Sequence, residues 1–148
     1  MNIGLKQLLH ETFKELELNH GFAVIEESDN GSGYVIQYQS QLLTLKLSLG
    51  HFKFSVTLFR IGSEDGVELF NLLDFLGCDI SKRSAPEFSM FSKSRNEDQK
   101  KQLRTLGEVI YGNLDIINQL FIRPDISEKF VEISKIMINK YPNLFRTW

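Results

Sequence analysis

The chain has 148 residues, of which 42% are hydrophobic and 24% charged, with a formal net charge of −2 at pH 7. This length and composition predict one globular domain, residues 1–148, rather than a disordered or fibrous protein, and the single cysteine excludes an internal disulfide. Because the chain shows neither a signal-peptide pattern at its start nor an apolar stretch of about 18 residues, we expect a cytoplasmic protein that does not bind membranes.

The first predicted element is an amphipathic helix over residues 3–18. Its apolar residues recur at steps of three and four, which places them on one stripe: Leu5, Leu8, Leu9, Phe13 and Leu16. Gly21 follows the stripe, and glycine readily adopts the left-handed conformation that ends a helix.

From residue 22 the hydrophobic period changes to two, which predicts four strands over residues 22–25, 34–39, 42–49 and 52–60. A two-residue turn at 50–51 would place Leu49 opposite Phe52. A matching turn at 40–41 would place Tyr38 opposite Leu43. In this register the large apolar side chains of three adjacent strands share one face. We expect the core on that face, with these residues buried: Leu45, Leu47, Phe54 and Val56.

Three helices are predicted after the strands. Ser63 followed by Glu64 and Asp65 is typical of a helix start, with Ser63 as the cap and both carboxylates in the first turn. A long loop over residues 78–95 follows, and we expect part of it, near 88–91, to form a short edge strand.

The third helix is predicted from residue 96 to Pro124, with Gly107 and Gly112 as points of close contact, and the fourth ends at Pro142. The apolar tail, residues 144–148, is expected to fold back onto the body. The predicted fold class is therefore α+β: a four-stranded antiparallel meander sheet packed against helices in the order α-β-β-β-β-α-α-α.

Residue patterns for catalysis are missing from the sequence. The three histidines, His10, His20 and His51, lie far apart, and neither a metal-ligand spacing nor a glycine-rich phosphate loop is present. The pair Glu26–Glu27 is unsuited to acid–base chemistry, because neighbouring residues of a strand point to opposite faces. We therefore expect no catalytic residue, no cofactor and no metal, and we interpret the protein as a non-enzyme.

Charge is distributed unevenly along the chain. Residues 1–77 contain five Lys or Arg against ten Asp or Glu, whereas residues 78–148 contain twelve against nine. The basic residues gather over 82–104 and include Lys82, Arg83 and Lys101. Because an acidic chain repels phosphate backbones at long range, we do not expect direct binding to nucleic acid, although either charged cluster could steer a partner of opposite sign.

Several segments together resemble a group of small bacterial proteins. These segments are 21–27, 34–38, the alternating strands 43–49 and 52–58, and the stretch 103–111 that leads to Leu120 and Phe121. They are similar to the immunity proteins of contact-dependent growth inhibition and related polymorphic toxin systems. The resemblance implies a non-catalytic protein that binds the toxin domain of its own strain and covers the toxin's active site or substrate-binding surface.

Toxins of these systems are often nucleases with basic clefts, which would suit the acidic N-terminal half of this chain. Acidic residues on rigid elements or short loops are then the candidate partner-binding residues: Glu26, Glu27 and Asp29 at the first strand, and Glu64, Asp65 and Glu68 near the second helix. In a meander of four strands the 28–33 loop and the 61–64 connection lie at opposite ends of the sheet, so we do not expect the two groups to form one patch.

Two other classes of function stay open. Type III secretion chaperones are also small and acidic, begin with a helix and three strands, and dimerise, but this chain is predicted to end in two long helices where they carry further strands. The third class is an enzyme whose site is assembled from scattered residues.

Overall fold

A computed structural model describes residues 1–31, 33–50, 53–83 and 95–140. The chain begins with helices α1 (Ile3–Thr12) and α2 (Lys14–Asn19). Five strands follow: β1 (Ala23–Asp29), β2 (Tyr34–Gln39), β3 (Leu43–Leu49), β4 (Phe54–Arg60) and β5 (Gly66–Glu68). The last elements are helix α3 (Leu69–Phe75), a 3₁₀ turn (Ser81–Arg83) and helices α4 (Arg95–Ile122) and α5 (Ile126–Lys140). The α+β class is confirmed, with one strand more than predicted.

The five strands form one antiparallel meander in the order β1-β2-β3-β4-β5. The additional strand, β5, lies in the segment that was predicted to open a helix. The Ser63 hydroxyl does accept a hydrogen bond from the Asp65 N–H (3.1 Å), but in a turn before β5. The residue that caps α3 is Glu68, whose carboxylate accepts from the Asn71 N–H at 2.9 Å. The prediction that Glu64 and Asp65 lie in the first turn of a helix is therefore wrong.

Two hairpins are displaced by two residues from the predicted register. Leu49 faces Phe54 rather than Phe52, and Tyr38 faces Leu45 rather than Leu43. The reason is that each turn lies one residue later than predicted, since the Ser40 N–H donates to the Leu43 carbonyl (2.9 Å) and the Gly50 N–H to the Lys53 carbonyl (3.1 Å). In the first turn the Ser40 hydroxyl also accepts hydrogen bonds from the N–H groups of residues 42 and 43. A shift of two residues keeps every side chain on the same face of the sheet, so the prediction of which face is apolar is still correct.

The predicted helix over residues 3–18 is interrupted at Phe13, which separates α1 from α2. The Phe13 side chain is fully buried, and its ring lies 6.0 Å from that of Tyr38 and 6.5 Å from that of Tyr111. α1 packs against α4, whereas α2 packs against β1. The interruption at Phe13 therefore lets the two helices point in different directions and pack against different elements.

The helices and one face of the sheet enclose a single apolar core. The four residues predicted for it are at most 2% exposed: Leu45, Leu47, Phe54 and Val56. Gly107 makes the predicted close contact, since a Cβ atom there would lie 2.6 Å from Thr12 Cγ2 on α1. The same prediction for Gly112 is wrong, because a Cβ atom there would have open space.

Two predictions fall on residues outside the described part of the chain: the edge strand near 88–91 and the tail 144–148. Among the described helices, none has the length and apolar character needed to cross a membrane.

Candidate functional site

The six acidic residues predicted to bind a partner are divided between opposite edges of the sheet. Glu26, Glu27 and Asp29 lie on β1, whereas Glu64, Asp65 and Glu68 lie in or just before β5. With four inter-strand spacings of about 4.8 Å between them, the two edges are about 19 Å apart. The two groups therefore belong to separate surfaces.

On β1, Glu27 lies on the face of the sheet that the helices cover. Its Oε1 accepts a hydrogen bond from the Tyr34 hydroxyl (2.6 Å) and lies 3.0 Å from His10 Nε2 on α1. The hydrogen bond from Tyr34 lowers the pKa of the Glu27 carboxyl, although burial partly opposes this effect. Glu27 thus joins α1, β1 and β2.

Asp29 makes a similar connection at the end of β1. Its carboxylate contacts the N-terminal amine of Met1 at 3.1 Å and Lys6 Nζ at 3.5 Å. The hydrogen bond from the N-terminal amine lowers the pKa of Asp29. The third member, Glu26, faces the uncovered side of the sheet, where it accepts a hydrogen bond from Gln37 Nε2 (2.6 Å). Two of the three carboxylates on β1 therefore hold α1 in position.

Glu68, the last residue of β5, also has structural contacts. Besides capping α3, its carboxylate lies 3.6 Å from the Arg83 guanidinium in the 3₁₀ turn. The Glu68 carboxylate therefore already has two partners within the protein.

Glu64 and Asp65 differ from the other four. Both are exposed, and within the described part of the chain neither carboxylate has an ion-pair or hydrogen-bond partner, whereas each of the other four has at least one. Together with α5 they line a groove with a volume of about 360 Å³. We call it the acidic groove after its two carboxylates, and its lining also contains three apolar residues and two cations: Glu64, Asp65, Phe130, Val131, Ile138, Arg60 and Lys135. Val131 is 54% exposed and Ile138 46%, so apolar surface lies beside the two carboxylates.

The connection that carries Glu64 and Asp65 has a hydrogen-bonded turn at its start, and at its end Gly66 pairs with Phe59. At its start the Ser63 N–H donates to the Arg60 carbonyl (3.1 Å), and Gly62 supplies the positive φ of 73° that this turn requires. The Arg60 guanidinium donates a hydrogen bond to the Ser127 hydroxyl and so links the end of β4 to the first turn of α5. The two walls of the acidic groove are therefore fixed relative to each other.

A second cavity, of about 440 Å³, lies at the other end of β4, between that strand, α3, the 3₁₀ turn and α4. We call it the basic cavity. Its apolar lining consists of Phe54, Val56, Phe70 and Leu106, and its cationic lining of Lys53, Lys82, Arg83 and Lys101. Sequence reasoning grouped three of these cations in the basic segment 82–104 but missed the cavity, because Lys53 lies far from them in the sequence and no periodic pattern marks the site.

The described residues contain no group of three or more His, Cys, Asp and Glu side chains that could hold a metal ion. The absence of enzymatic activity stays a prediction. Comparison of the chain with models of protein families, with curated proteins and with solved structures finds no match.

Proposed function

We propose that this protein is a non-catalytic immunity protein of the bacterial cytoplasm that binds a basic toxin domain through the acidic groove. The observation that carries the proposal is the position of two exposed carboxylates, Glu64 and Asp65, beside the exposed apolar side chains of Val131 and Ile138. Charged groups next to an apolar centre are the usual composition of a protein-binding surface, whose apolar part supplies affinity and whose charges supply orientation.

The mechanism is stoichiometric. The two carboxylates attract a cationic cleft of the kind that a nuclease uses to hold phosphate groups, and they speed the encounter of the two proteins. The apolar side chains on α5 then lose contact with water when the complex forms, which slows its dissociation. With the groove seated against the cleft, the toxin is prevented from reaching its substrate, and no chemical step is required of the immunity protein.

The acidic groove suits this role better than the carboxylates on β1. Glu27 already contacts His10, and Asp29 already pairs with Lys6 and the N-terminal amine, so a partner would have to displace those contacts before it could bind there. Glu64 and Asp65 require no such rearrangement. Their fixed connection also means that little conformational entropy is lost when a partner binds.

Co-expression tests the proposal. The protein encoded by the gene next to this one is tested as the toxin: it is expressed in bacterial cells with and without this protein, and cell growth is measured. We expect growth to be restored and an equimolar complex to be recovered. Undiminished toxicity without complex formation would contradict the proposal. If the protein instead forms an equimolar complex with a secreted effector and does not protect cells from the toxin, a secretion chaperone would be favoured.

A further inference from the structure

We infer that the basic cavity binds a small amphipathic anion, that is, an organic molecule with an apolar body and one carboxylate, sulfonate or phosphate group. The inference concerns a site separate from the acidic groove. The basic cavity lies beside residues 53–56 at one end of β4, whereas the acidic groove begins beyond Arg60 at the other end. A volume of about 440 Å³ lies within the range of about 300–1,000 Å³ that is usual for ligand pockets.

The apolar floor of the cavity exists because β5 is short. Its last residue, Glu68, pairs with Thr57, so the part of β4 from Phe54 to Val56 extends past the end of β5. The backbone N–H of Phe54 does not need a neighbouring strand, since it donates a hydrogen bond to Gln102 Oε1 on α4 (3.2 Å). With this polar group satisfied, the surface offered to a ligand is largely apolar.

The charged residues around the apolar floor of the cavity favour an anionic ligand. Two of the four cations are paired within the protein: Lys82 contacts Glu108 at 3.1 Å, and Arg83 contacts Glu68 at 3.6 Å. The other two, Lys53 just before β4 and Lys101 on α4, have no ion-pair partner in the described part of the chain. They belong to different walls of the cavity.

The excess positive charge of the lining therefore comes from Lys53 and Lys101. An anionic group between them would gain charge-assisted hydrogen bonds, whereas a neutral ligand of the same shape would gain only the apolar contacts. The ligand is thus selected by two features together, an apolar body for the floor and a single acidic group for the two lysines.

The test uses 1-anilinonaphthalene-8-sulfonate, an amphipathic anion whose fluorescence rises in apolar surroundings, and its uncharged analogue N-phenyl-1-naphthylamine. We expect one saturable site for the anion, and Lys53→Gln/Lys101→Gln should weaken its binding by about tenfold or more. The control Lys14→Gln/Lys46→Gln changes the net charge equally but lies outside the cavity, and it should bind like the unmodified protein. The uncharged analogue should bind equally to all three proteins.

A variant with a larger side chain inside the basic cavity checks independently that the anion binds there. Thr105→Trp, which enlarges a lining residue on α4, should abolish binding of the anion while circular dichroism shows an unchanged fold. The inference is overturned if the Lys53→Gln/Lys101→Gln protein binds the anion like the unmodified protein, or if a folded Thr105→Trp protein does so. It is also overturned if inorganic sulfate, at equal ionic strength, competes as strongly as an equal concentration of unlabelled naphthalene sulfonate, because the apolar floor would then contribute nothing. If Thr105→Trp does not fold, the two lysine pairs decide.

Discussion

The Tyr34 hydroxyl donates a hydrogen bond to Glu27 Oε1 over 2.6 Å, and through this contact β2 is tied to β1 beneath helix α1. The same carboxylate oxygen lies 3.0 Å from His10 Nε2 on that helix. Glu27, which the sequence suggests as a partner-binding residue, therefore makes contacts within the protein that stabilise the fold. This assignment leads to predictions about folding that are independent of any partner.

The first prediction compares two tyrosines that lie on the same face of β2. Tyr34→Phe should lower the free energy of unfolding by about 1–3 kcal/mol, because it removes a hydrogen bond to a charged group and leaves Glu27 with one partner fewer. Tyr38→Phe should leave stability unchanged or raise it slightly, because the Tyr38 hydroxyl is buried and has no hydrogen-bond partner among the described residues. Urea unfolding of both variants measures the difference. Equal losses in the two variants would contradict the assigned role of Tyr34.

The second prediction concerns acid stability. The folded structure lowers the pKa of Glu27, chiefly through the hydrogen bond from Tyr34, and the pKa of Asp29, chiefly through the N-terminal amine. A carboxyl group with a lowered pKa stabilises the fold above its unfolded-state pKa, and this contribution is lost as the pH falls through the folded-state pKa. We therefore expect the free energy of unfolding to decrease once the pH falls below about 4.5, the ordinary value for glutamate.

The variant Glu27→Gln provides the comparison for this acid effect. It cannot lose a charge on acidification, so its stability difference from the unmodified protein should shrink between about pH 5 and about pH 3. Urea unfolding at a series of pH values measures that difference. A difference that stays constant over this range would show that the ionised form of Glu27 contributes nothing to folding.

The third prediction contrasts two glycines of α4. Gly112→Ala should stabilise the protein by about 1 kcal/mol, because alanine favours helix and open space surrounds the new methyl group. Gly107→Ala should destabilise it, because the new Cβ would lie 2.6 Å from Thr12 Cγ2. The double variant Thr12→Ser/Gly107→Ala, which removes that methyl group, should recover much of the loss. Thermal unfolding midpoints rank these proteins, and a Gly107→Ala protein as stable as Gly112→Ala would show that α1 and α4 are packed less closely.

Hydrophobic periodicity was sufficient to predict strands β2, β3 and β4 and the face of the sheet that is buried. It could not predict the register, because a shift of two residues leaves the periodic pattern unchanged. The actual shift depends on local turn chemistry, such as the hydrogen bonds that Ser40 accepts from the following residues. The fifth strand was missed for a related reason, since a strand of three residues is too short to display a period.

The candidate sites were predictable only in part. The sequence identified Glu64 and Asp65 as candidates, but it could not separate them from Glu27, whose hydrogen bond from Tyr34 depends on the pairing of two strands. Ser63 followed by two carboxylates matches a helix cap, yet the cap is formed by Glu68. The basic cavity could not be predicted at all, because its lining comes from four separate segments of the chain.

The central claim is that the acidic groove binds a basic toxin domain, and it is tested by reversing the charge of the groove. The protein Glu64→Lys/Asp65→Lys is compared with Glu11→Lys/Glu15→Lys, which has the same net charge but carries its changes on the exposed sides of α1 and α2. Thermal unfolding should show that both remain folded at the temperature of the binding measurement, since none of the four carboxylates has an ion-pair partner in the described part of the chain.

The deciding measurement is the association rate constant of each protein with the toxin domain from the neighbouring gene, at low and at high salt. We predict that the Glu64→Lys/Asp65→Lys protein associates about tenfold or more slowly at low salt and with a weaker salt dependence, while the Glu11→Lys/Glu15→Lys protein stays much closer to the unmodified rate. Association of the Glu64→Lys/Asp65→Lys protein at the unmodified rate at low salt would contradict the claim.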